Sequence, residues 1–184
     1  RIGNEYLFQT MAEKNLETFG KYKFKKIVTQ CPHCFTTLKN DYSELGADLE
    51  VVHLSQFIGE LVSEGKISPK AWLDEDVTYH DACYLGRHND EYDAPRDVIQ
   101  SIMKNGSLVE MEKSREESFC CGAGGGNMWY EIKTGERINH NRFKQAAKTG
   151  ATTVATSCNF CNIMMEDGMK VTGNDDKMKV MDIA

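Results

Sequence analysis

The sequence predicts an α/β fold, built as two pseudo-repeated modules with a mostly parallel sheet, the first of them truncated. Short apolar runs alternate with amphipathic stretches along the 184 residues, as in parallel sheets whose strands are joined by helices. A strand–Cys-x-x-Cys–helix pattern occurs twice, at an offset of 127 residues. The polar stretch ISPKAWLDED separates the copies, so we place the modules at residues 1–70 and 71–184. Each module is expected to be Rossmann-like.

The first half alternates helix and strand. Residues 4–19 predict a helix with Asn4 as its N-cap. KKIVTQ predicts a short buried strand, after which a Cys-Pro-His-Cys stretch opens a helix over FTTLKNDYSEL. LEVVH predicts the next strand. LSQFIGELVSEGK predicts the clearest helix, because its apolar residues recur at helical spacing.

The second half repeats this alternation. VTYHDAC predicts a strand ending at a cysteine, and APRDVIQSIMKNG a helix that Gly106 stops. SLVEM predicts a strand, and the Cys-Cys loop after it is expected to lead into a long helix over residues 127–148. ATTVATS predicts a strand, followed by a helix to about Met169 and a last strand in KVMDIA.

The internal repeat extends beyond the cysteines. IVTQCPHCFTTLKND aligns with VATSCNFCNIMMEDG, and upstream Gly3-Asn4 echoes Gly126-Asn127. The second copy has a Cys-Cys pair just before its Gly-Asn, whereas the first would need such a pair just before Arg1. We therefore expect the other cysteines of the first module in an upstream remainder of the same chain.

Composition narrows the class of protein. The net charge of −6 does not suggest a nucleic-acid partner. No apolar run is long enough to span a membrane and no signal peptide opens the chain, so we expect a cytoplasmic protein. The seven cysteines are an odd number, which does not fit a closed disulfide set. Cytosolic cysteine clusters favour metal or redox roles.

Five of these cysteines form one pattern, in which Cys83 is followed after 36 residues by Cys120-Cys121 and after another 36 by Cys158-x-x-Cys161. Each follows a predicted strand or precedes a predicted helix. Because sites in parallel sheets gather at the carboxyl ends of strands, the five thiols are expected to meet. Adjacent cysteines are too close for an unstrained disulfide, which favours a metal centre. Zinc, a metal-free dithiol and plain buried cysteines remain as alternatives.

The arrangement Cys-x36-Cys-Cys-Gly-x35-Cys-x-x-Cys resembles the cysteine-rich CCG domain found in the B and D subunits of heterodisulfide reductase and in related iron–sulfur oxidoreductases. YHDACYLGR and FCCGAGGGNMWYE look like the branch of the D subunits, which is associated with electron-transfer flavoprotein and menaquinone. The resemblance covers essentially the whole chain.

The resemblance implies a noncubane [4Fe–4S] cluster in each complete module, held here by Cys83, Cys120, Cys121, Cys158 and Cys161. Cys31 and Cys34 match the metal-binding pair that closes the preceding module. It also implies an iron–sulfur oxidoreductase within a larger chain or complex. Its donor would be a flavoprotein such as electron-transfer flavoprotein or a ferredoxin-type domain, and its acceptor a quinone or a disulfide. Membrane contact, at the cytoplasmic face, would belong to absent segments. The alternative is a zinc-binding, non-catalytic assembly module.

Several neighbours of the cysteines have two interpretations each. His80 and Asp81 fit either a strand end that satisfies loop atoms or a place beside the cluster, and His33 fits either a cluster contact or solvent. Arg87 fits either a surface ion pair or a pairing with an anionic cluster or partner. The adjacent pair Trp129-Tyr130 is expected to pack inside, with partner docking as the alternative. The GAGGG loop lacks a phosphate-binding pattern, so we expect its backbone to approach the cluster closely.

Overall fold

The computed structural model describes residues 3–130 and 134–184. Its eight α-helices in this part of the chain are α1 Glu5–Phe19, α2 Pro32–Thr36, α3 Tyr42–Glu44, α4 Leu54–Ser63, α5 Gly86–Asn89, α6 Asp93–Ser101, α7 Ile138–Ala147 and α8 Asn159–Val171. The strands are β1 Ile27–Thr29, β2 Val51–His53, β3 Val77–His80, β4 Thr153–Thr156 and β5 Lys179–Asp182. A π-helical turn over Thr37–Asp41 joins α2 to α3.

The strands form two parallel sheets, which confirms the α/β prediction. One has the order β1-β2 and the other β3-β4-β5, with every ladder parallel. In the first sheet Thr29 lies opposite His53, and in the second Thr156 lies opposite Asp182. Thr29 and Thr156 are separated by the same 127 residues as the two Cys-x-x-Cys stretches. The β1-β2 pair is therefore arranged like β4-β5, in keeping with the sequence repeat.

Helix α1 begins as the sequence predicts. The side chain of Asn4 accepts a hydrogen bond from the amide of Leu7 at 3.0 Å, so the predicted N-cap is confirmed. Gly3 just before it has φ of +86°, and its sequence counterpart Gly126 has φ of +78°. The two glycines that the sequence repeat aligns therefore share the same left-handed backbone conformation.

The long helix predicted over residues 127–148 is wrong. A 3-10 segment covers Gly124–Trp129, Tyr130 is extended, and α7 begins only at Ile138. Gly125 and Gly126, just before the predicted range, have positive φ values and belong to the turn that precedes it. Gly135, also at positive φ, was the signal in the sequence against a continuous helix. Residues 131–133 of the predicted helix lie outside the described residues.

Two predictions between α6 and the Cys-Cys loop are also wrong. Helix α6 ends at Ser101 and not at Gly106, because the chain beyond it bonds to Leu73, whose amide donates to the carbonyl of Ile102 at 2.8 Å. The predicted strand SLVEM is reduced to an isolated bridge between Leu108 and Val77. Beyond this bridge the chain no longer pairs with the sheet. There the side chain of Glu110 forms an ion pair with Arg96.

The core joins the two halves at the cysteines. One buried cluster combines first-half residues with second-half residues: Phe35, Val51, Ala82, Leu85, Cys121, Cys158, Cys161 and Met164. Thr36 donates a hydrogen bond to the carbonyl of Tyr84 at 3.1 Å, and Asn89 donates to Thr36 at 2.8 Å. The first half therefore packs directly against the cysteine region of the second.

The pairing of α7 with α8 depends on a small residue at Gly168. A Cβ added there would lie 2.8 Å from the carbonyl oxygen of Asn139 and 2.9 Å from the Cβ of Phe143. Gly59 in α4 has nothing within 4 Å of the same position. The two helical glycines thus differ in packing.

We predict that Gly168→Ala lowers the free energy of unfolding by about 1–3 kcal/mol, because the added methyl overpacks the α7–α8 contact. Gly59→Ala is the matched control and should raise it by about 0.5–1 kcal/mol, since alanine favours the helix. Urea unfolding of both variants tests this. Equal effects of the two substitutions would contradict the packing explanation.

Candidate metal centre

The strand ends bring the five cysteines of the second half together, as the strand pattern predicts. His80 and Thr156 lie opposite each other at the carboxyl ends of β3 and β4, so Cys83 and Cys158 follow at the same sheet edge. Cys158 is the N-cap of α8, and Cys161 lies in its first turn. The Cys120-Cys121 pair reaches the same edge on the loop before the 3-10 segment.

All five cysteines line one cleft of about 720 Å³. Its other walls come from the start of α2, the glycine loop, and the side chains of Met128 and Phe160. Cys121, Cys158 and Cys161 are buried, whereas Cys83 and Cys120 are partly exposed. Cys31 is also partly exposed, and Cys34 is exposed. The two cysteines of the first half thus differ from the five in not lining this cleft.

The five thiols share protons through mutual hydrogen bonds. Hydrogen bonds from Cys121 and Cys83 lower the pKa of Cys120 to about 2. A hydrogen bond from Cys161 lowers the pKa of Cys158 to about 5. Hydrogen bonding to Cys120 in turn raises the pKa of Cys121 to about 12. Two thiolates are therefore stabilised by three protonated thiols, whose protons a metal would displace.

The thiol pKa values of Cys83 and Cys161 are also raised. For Cys83 the first cause is its hydrogen bond to Cys120, followed by burial. For Cys161 the first causes are its hydrogen bonds to Cys121 and Cys158. Metal binding would release protons from these groups, so loading should be favoured as the pH rises.

His33 contacts both cysteine groups, so the interpretation that placed it beside the cysteines is favoured over solvent. Its Nδ1 lies 3.8 Å from the sulfur of Cys31. Hydrogen bonds to Cys158 and to Cys31 raise the pKa of His33 to about 9. The ring also packs against Tyr84 at a tilt of 32°, with 4.2 Å between centroids. One imidazole from the first half thus reaches a cysteine of the second.

His80 lies beside the cysteines and not against a loop carbonyl. One of its ring nitrogens and the sulfurs of Cys121 and Cys161 lie within 4.8 Å of one another. Its Nδ1 accepts a hydrogen bond from Nε of Arg142 at 3.0 Å. Burial, with the nearby charge of Arg142, lowers the pKa of His80 to about 3, so the ring is neutral.

Asp81 anchors the loop that carries the cysteine pair. Both of its carboxylate oxygens accept hydrogen bonds from Arg96, at 2.7 and 3.0 Å. The amide of Arg115 donates to the same carboxylate at 2.8 Å. Arg87 donates to the backbone carbonyls of Glu116 and Ser118, so it holds the same loop.

The backbone approaches one sulfur closely at the start of the glycine loop, and its expected approach to a cluster stays a prediction. The amide of Gly122 donates to the sulfur of Cys120 at 3.2 Å. Gly122 has φ of +88°, and a Cβ there would lie 2.9 Å from the Cβ of Ile138. A glycine is therefore required at this position.

Two predictions about side chains near the site need correction. Trp129 and Tyr130 do not pack inside: 78% and 67% of their surfaces are exposed, because Tyr130 is extended rather than helical. Arg142 was missed altogether. It is fully buried behind His80, whereas arginine is mostly exposed in proteins, and no local sequence pattern signals this burial.

Cys120 and Cys158 carry the stabilised thiolates, so each should contribute thiolate absorbance in metal-free protein at pH 6. We predict that Cys120→Ser and Cys158→Ser each remove a step below pH 6 from the ultraviolet absorbance titration. Cys34→Ser is the control, since the pKa of Cys34 is raised by burial and by Cys31, and it should remove only an alkaline step. Loss of a low-pH step in the control would contradict the assignment.

Within the part of the chain that the structure describes, no helix has the length and apolar character needed to cross a bilayer.

Comparison with known proteins places the cysteines in a family. The family model described as a cysteine-rich domain, CCG, matches residues 1–39 and 77–166. The chain is 44% identical to EtfAB:quinone oxidoreductase of Syntrophomonas wolfei and 46% identical to the probable iron-sulfur-binding oxidoreductase FadF of Bacillus subtilis, over its whole length in both. It spans 26% of the length of each of these relatives.

A more distant relative carries the name expected from the sequence. The D subunit of the dihydromethanophenazine:CoB–CoM heterodisulfide reductase of Methanosarcina barkeri is 35% identical over 90% of this chain, which covers 41% of that protein. The resemblance drawn from the cysteine spacing is thereby confirmed. The chain belongs to the cysteine-rich CCG domain family, and its relatives include proteins named as an oxidoreductase and as a D subunit of heterodisulfide reductase.

Proposed function

We propose that this chain is the cysteine-rich part of an iron–sulfur oxidoreductase, and that Cys83, Cys120, Cys121, Cys158 and Cys161 hold a noncubane [4Fe–4S] cluster. The protein would relay electrons from a flavoprotein, such as electron-transfer flavoprotein, or from a ferredoxin-type domain. The acceptor would be a quinone or a disulfide. The names of the relatives, an EtfAB:quinone oxidoreductase and a heterodisulfide reductase, support this pair of acceptor classes.

The observation that carries the proposal is the convergence of five thiols in one cleft. They come from two strand ends and the loop between them, and the cleft measures about 720 Å³. Thiolates are the ligands of iron–sulfur clusters, and two of the five already have lowered pKa values. The donor set therefore fits the proposed group.

The number of thiols favours a cluster over a single zinc ion. Tetrahedral zinc takes four ligands, so it would leave one of the five thiols that line the cleft without a metal.

When bound, the cluster would supply one-electron chemistry in the cleft. The chain's own residues prepare the site for it. The amide of Gly122 donates to Cys120, and His33 hydrogen-bonds to Cys158, so that both thiolates are stabilised by donors. The buried Cys121, Cys158 and Cys161 keep one side of the site away from water.

We further propose that residues 1–70 and 71–184 are parts of two related modules. The likeness of β1-β2 to β4-β5 supports this, as does the match of the family to two separate stretches. Cys31 and Cys34 would then bind metal with cysteines of an upstream remainder. A place at the cytoplasmic face of a membrane is part of the same proposal, since one relative, from Chromohalobacter salexigens, is named a probable membrane-anchored ferredoxin.

The test is the metal content and spectrum of the full-length protein purified without oxygen. We expect a brown protein with about four irons at the five-cysteine site. Cys121→Ser should lose or convert that cluster, because it removes a buried ligand. Cys34→Ser is the matched control and should leave the signal of the five-cysteine site intact.

Three outcomes would count against the proposal. Colourless protein with stoichiometric zinc would favour a zinc-binding assembly module instead. Metal-free protein with a titratable dithiol would favour a thiol–disulfide enzyme. Equal loss of the signal in Cys121→Ser and Cys34→Ser would contradict the two-module arrangement.

A further inference from the structure

Arg142 is a fully buried cation behind the cysteine site, and its side chain is 0% exposed. Its guanidinium donates four hydrogen bonds, all to neutral acceptors. These are Nδ1 of His80 at 3.0 Å, the carbonyl of Lys113 at 2.9 Å, Oε1 of Gln145 at 2.8 Å and Oγ of Ser118 at 3.1 Å. Its hydrogen-bonding capacity is thus largely met without a carboxylate among these acceptors.

Arg96, the second buried arginine of this region, is paired with carboxylates, as buried arginines usually are. Arg96 is 4% exposed and forms two-pronged ion pairs with Asp81 and Glu110, with distances of 2.6–3.0 Å. A buried charge normally requires such a partner, since leaving one unpaired is costly. Arg142 has none among its four acceptors, so its compensating negative charge has to come from further away.

Arg142 is separated from the cysteines by a single side chain. Its Nε–H donates to Nδ1 of His80, and a ring nitrogen of His80 lies within 4.8 Å of the sulfurs of Cys121 and Cys161. The buried guanidinium therefore places a positive charge directly behind the cysteine site.

We propose that Arg142 is a positioning residue of the cysteine site, which holds His80 in one orientation beside Cys121 and Cys161 and adds a fixed positive charge behind it. The inference rests on the proposed function in so far as it concerns a bound cluster. The orientation of His80 that it requires is a property of the chain itself.

The geometry gives His80 a defined orientation. Because Nε–H of Arg142 donates to Nδ1, that nitrogen carries the lone pair, and in the neutral ring the proton is on Nε2. The ring lies within reach of Cys121 and Cys161, whose sulfurs can accept from a donor. Arg142 thus fixes the tautomer in which His80 is a hydrogen-bond donor towards the site.

The consequence for a bound centre is electrostatic. A fixed positive charge in a dry interior, and a hydrogen-bond donor beside the sulfurs, both stabilise the more negative redox state. They raise the reduction potential of the centre relative to the same thiols without them. An arginine charge does so throughout the neutral pH range.

The test is a redox titration of the full-length protein, followed by the spectrum of its iron–sulfur centre. Arg142→Gln should shift the midpoint potential to a more negative value while the spectrum keeps its type. Arg142→Lys keeps the charge but loses the planar fork, and should recover part of the shift. Arg137→Gln is the matched control, because it removes the same charge from a partly exposed site just before α7, paired with Asp167, and should leave the potential unchanged.

A wild-type potential in Arg142→Gln, or a full shift in Arg142→Lys, would overturn the inference. If Arg142→Gln does not fold, nitrogen-15 NMR of histidine-labelled wild-type protein decides, with His80 assigned from a His80→Gln variant. A proton on Nε2 supports the inference, and a proton on Nδ1 overturns it. Absence of iron from the wild-type protein would refute the proposed function alone, since the tautomer can also be measured without metal.

Discussion

Five thiols in one cleft repel one another as soon as they ionise, and the rest of the structure depends on how that repulsion is managed. The cysteines share protons, so that Cys120 and Cys158 are thiolates among protonated neighbours. Backbone and side-chain donors, from Gly122 and His33, are aimed at these two sulfurs. In such a site a metal can replace the thiol protons without a rearrangement of the neighbouring residues.

Holding the thiols in place requires a rigid connection between β3 and the loop of the cysteine pair. The chain achieves this with buried charge, because the carboxylate of Asp81 accepts hydrogen bonds from both the side chain of Arg96 and the amide of Arg115. Asp81 directly follows β3, whereas Arg115 lies 34 residues later, shortly before the cysteine pair. A loop fixed by such contacts presents Cys120 and Cys121 in one geometry.

Local pattern accounts for the parts of this arrangement that could be predicted from the sequence. Alternating strands and helices, together with cysteines at strand ends, are enough to place Cys83, Cys158 and Cys161 at one sheet edge. The segment after Cys121 was predicted wrongly, because the helix preference of its residues was given more weight than Gly135, whose positive φ interrupts the helix. The burial of Arg142 could not be predicted for another reason. It results from the packing of α7 against the site, and the residues next to Arg142 in the sequence give no signal of that contact.

The position of α2 gives the first half a part in the site even though its own cysteines do not line the cleft of the five. His33 reaches Cys158 from α2, and Pro32, His33 and Thr37 form one wall of the cleft. The hydrogen bond from Thr36 to Tyr84 holds that wall against the loop of Cys83. Because His33 also lies 3.8 Å from Cys31, any change of charge at Cys31 is felt by the imidazole that stabilises Cys158. Two cysteine groups that are separate in sequence are therefore coupled electrostatically through a single ring.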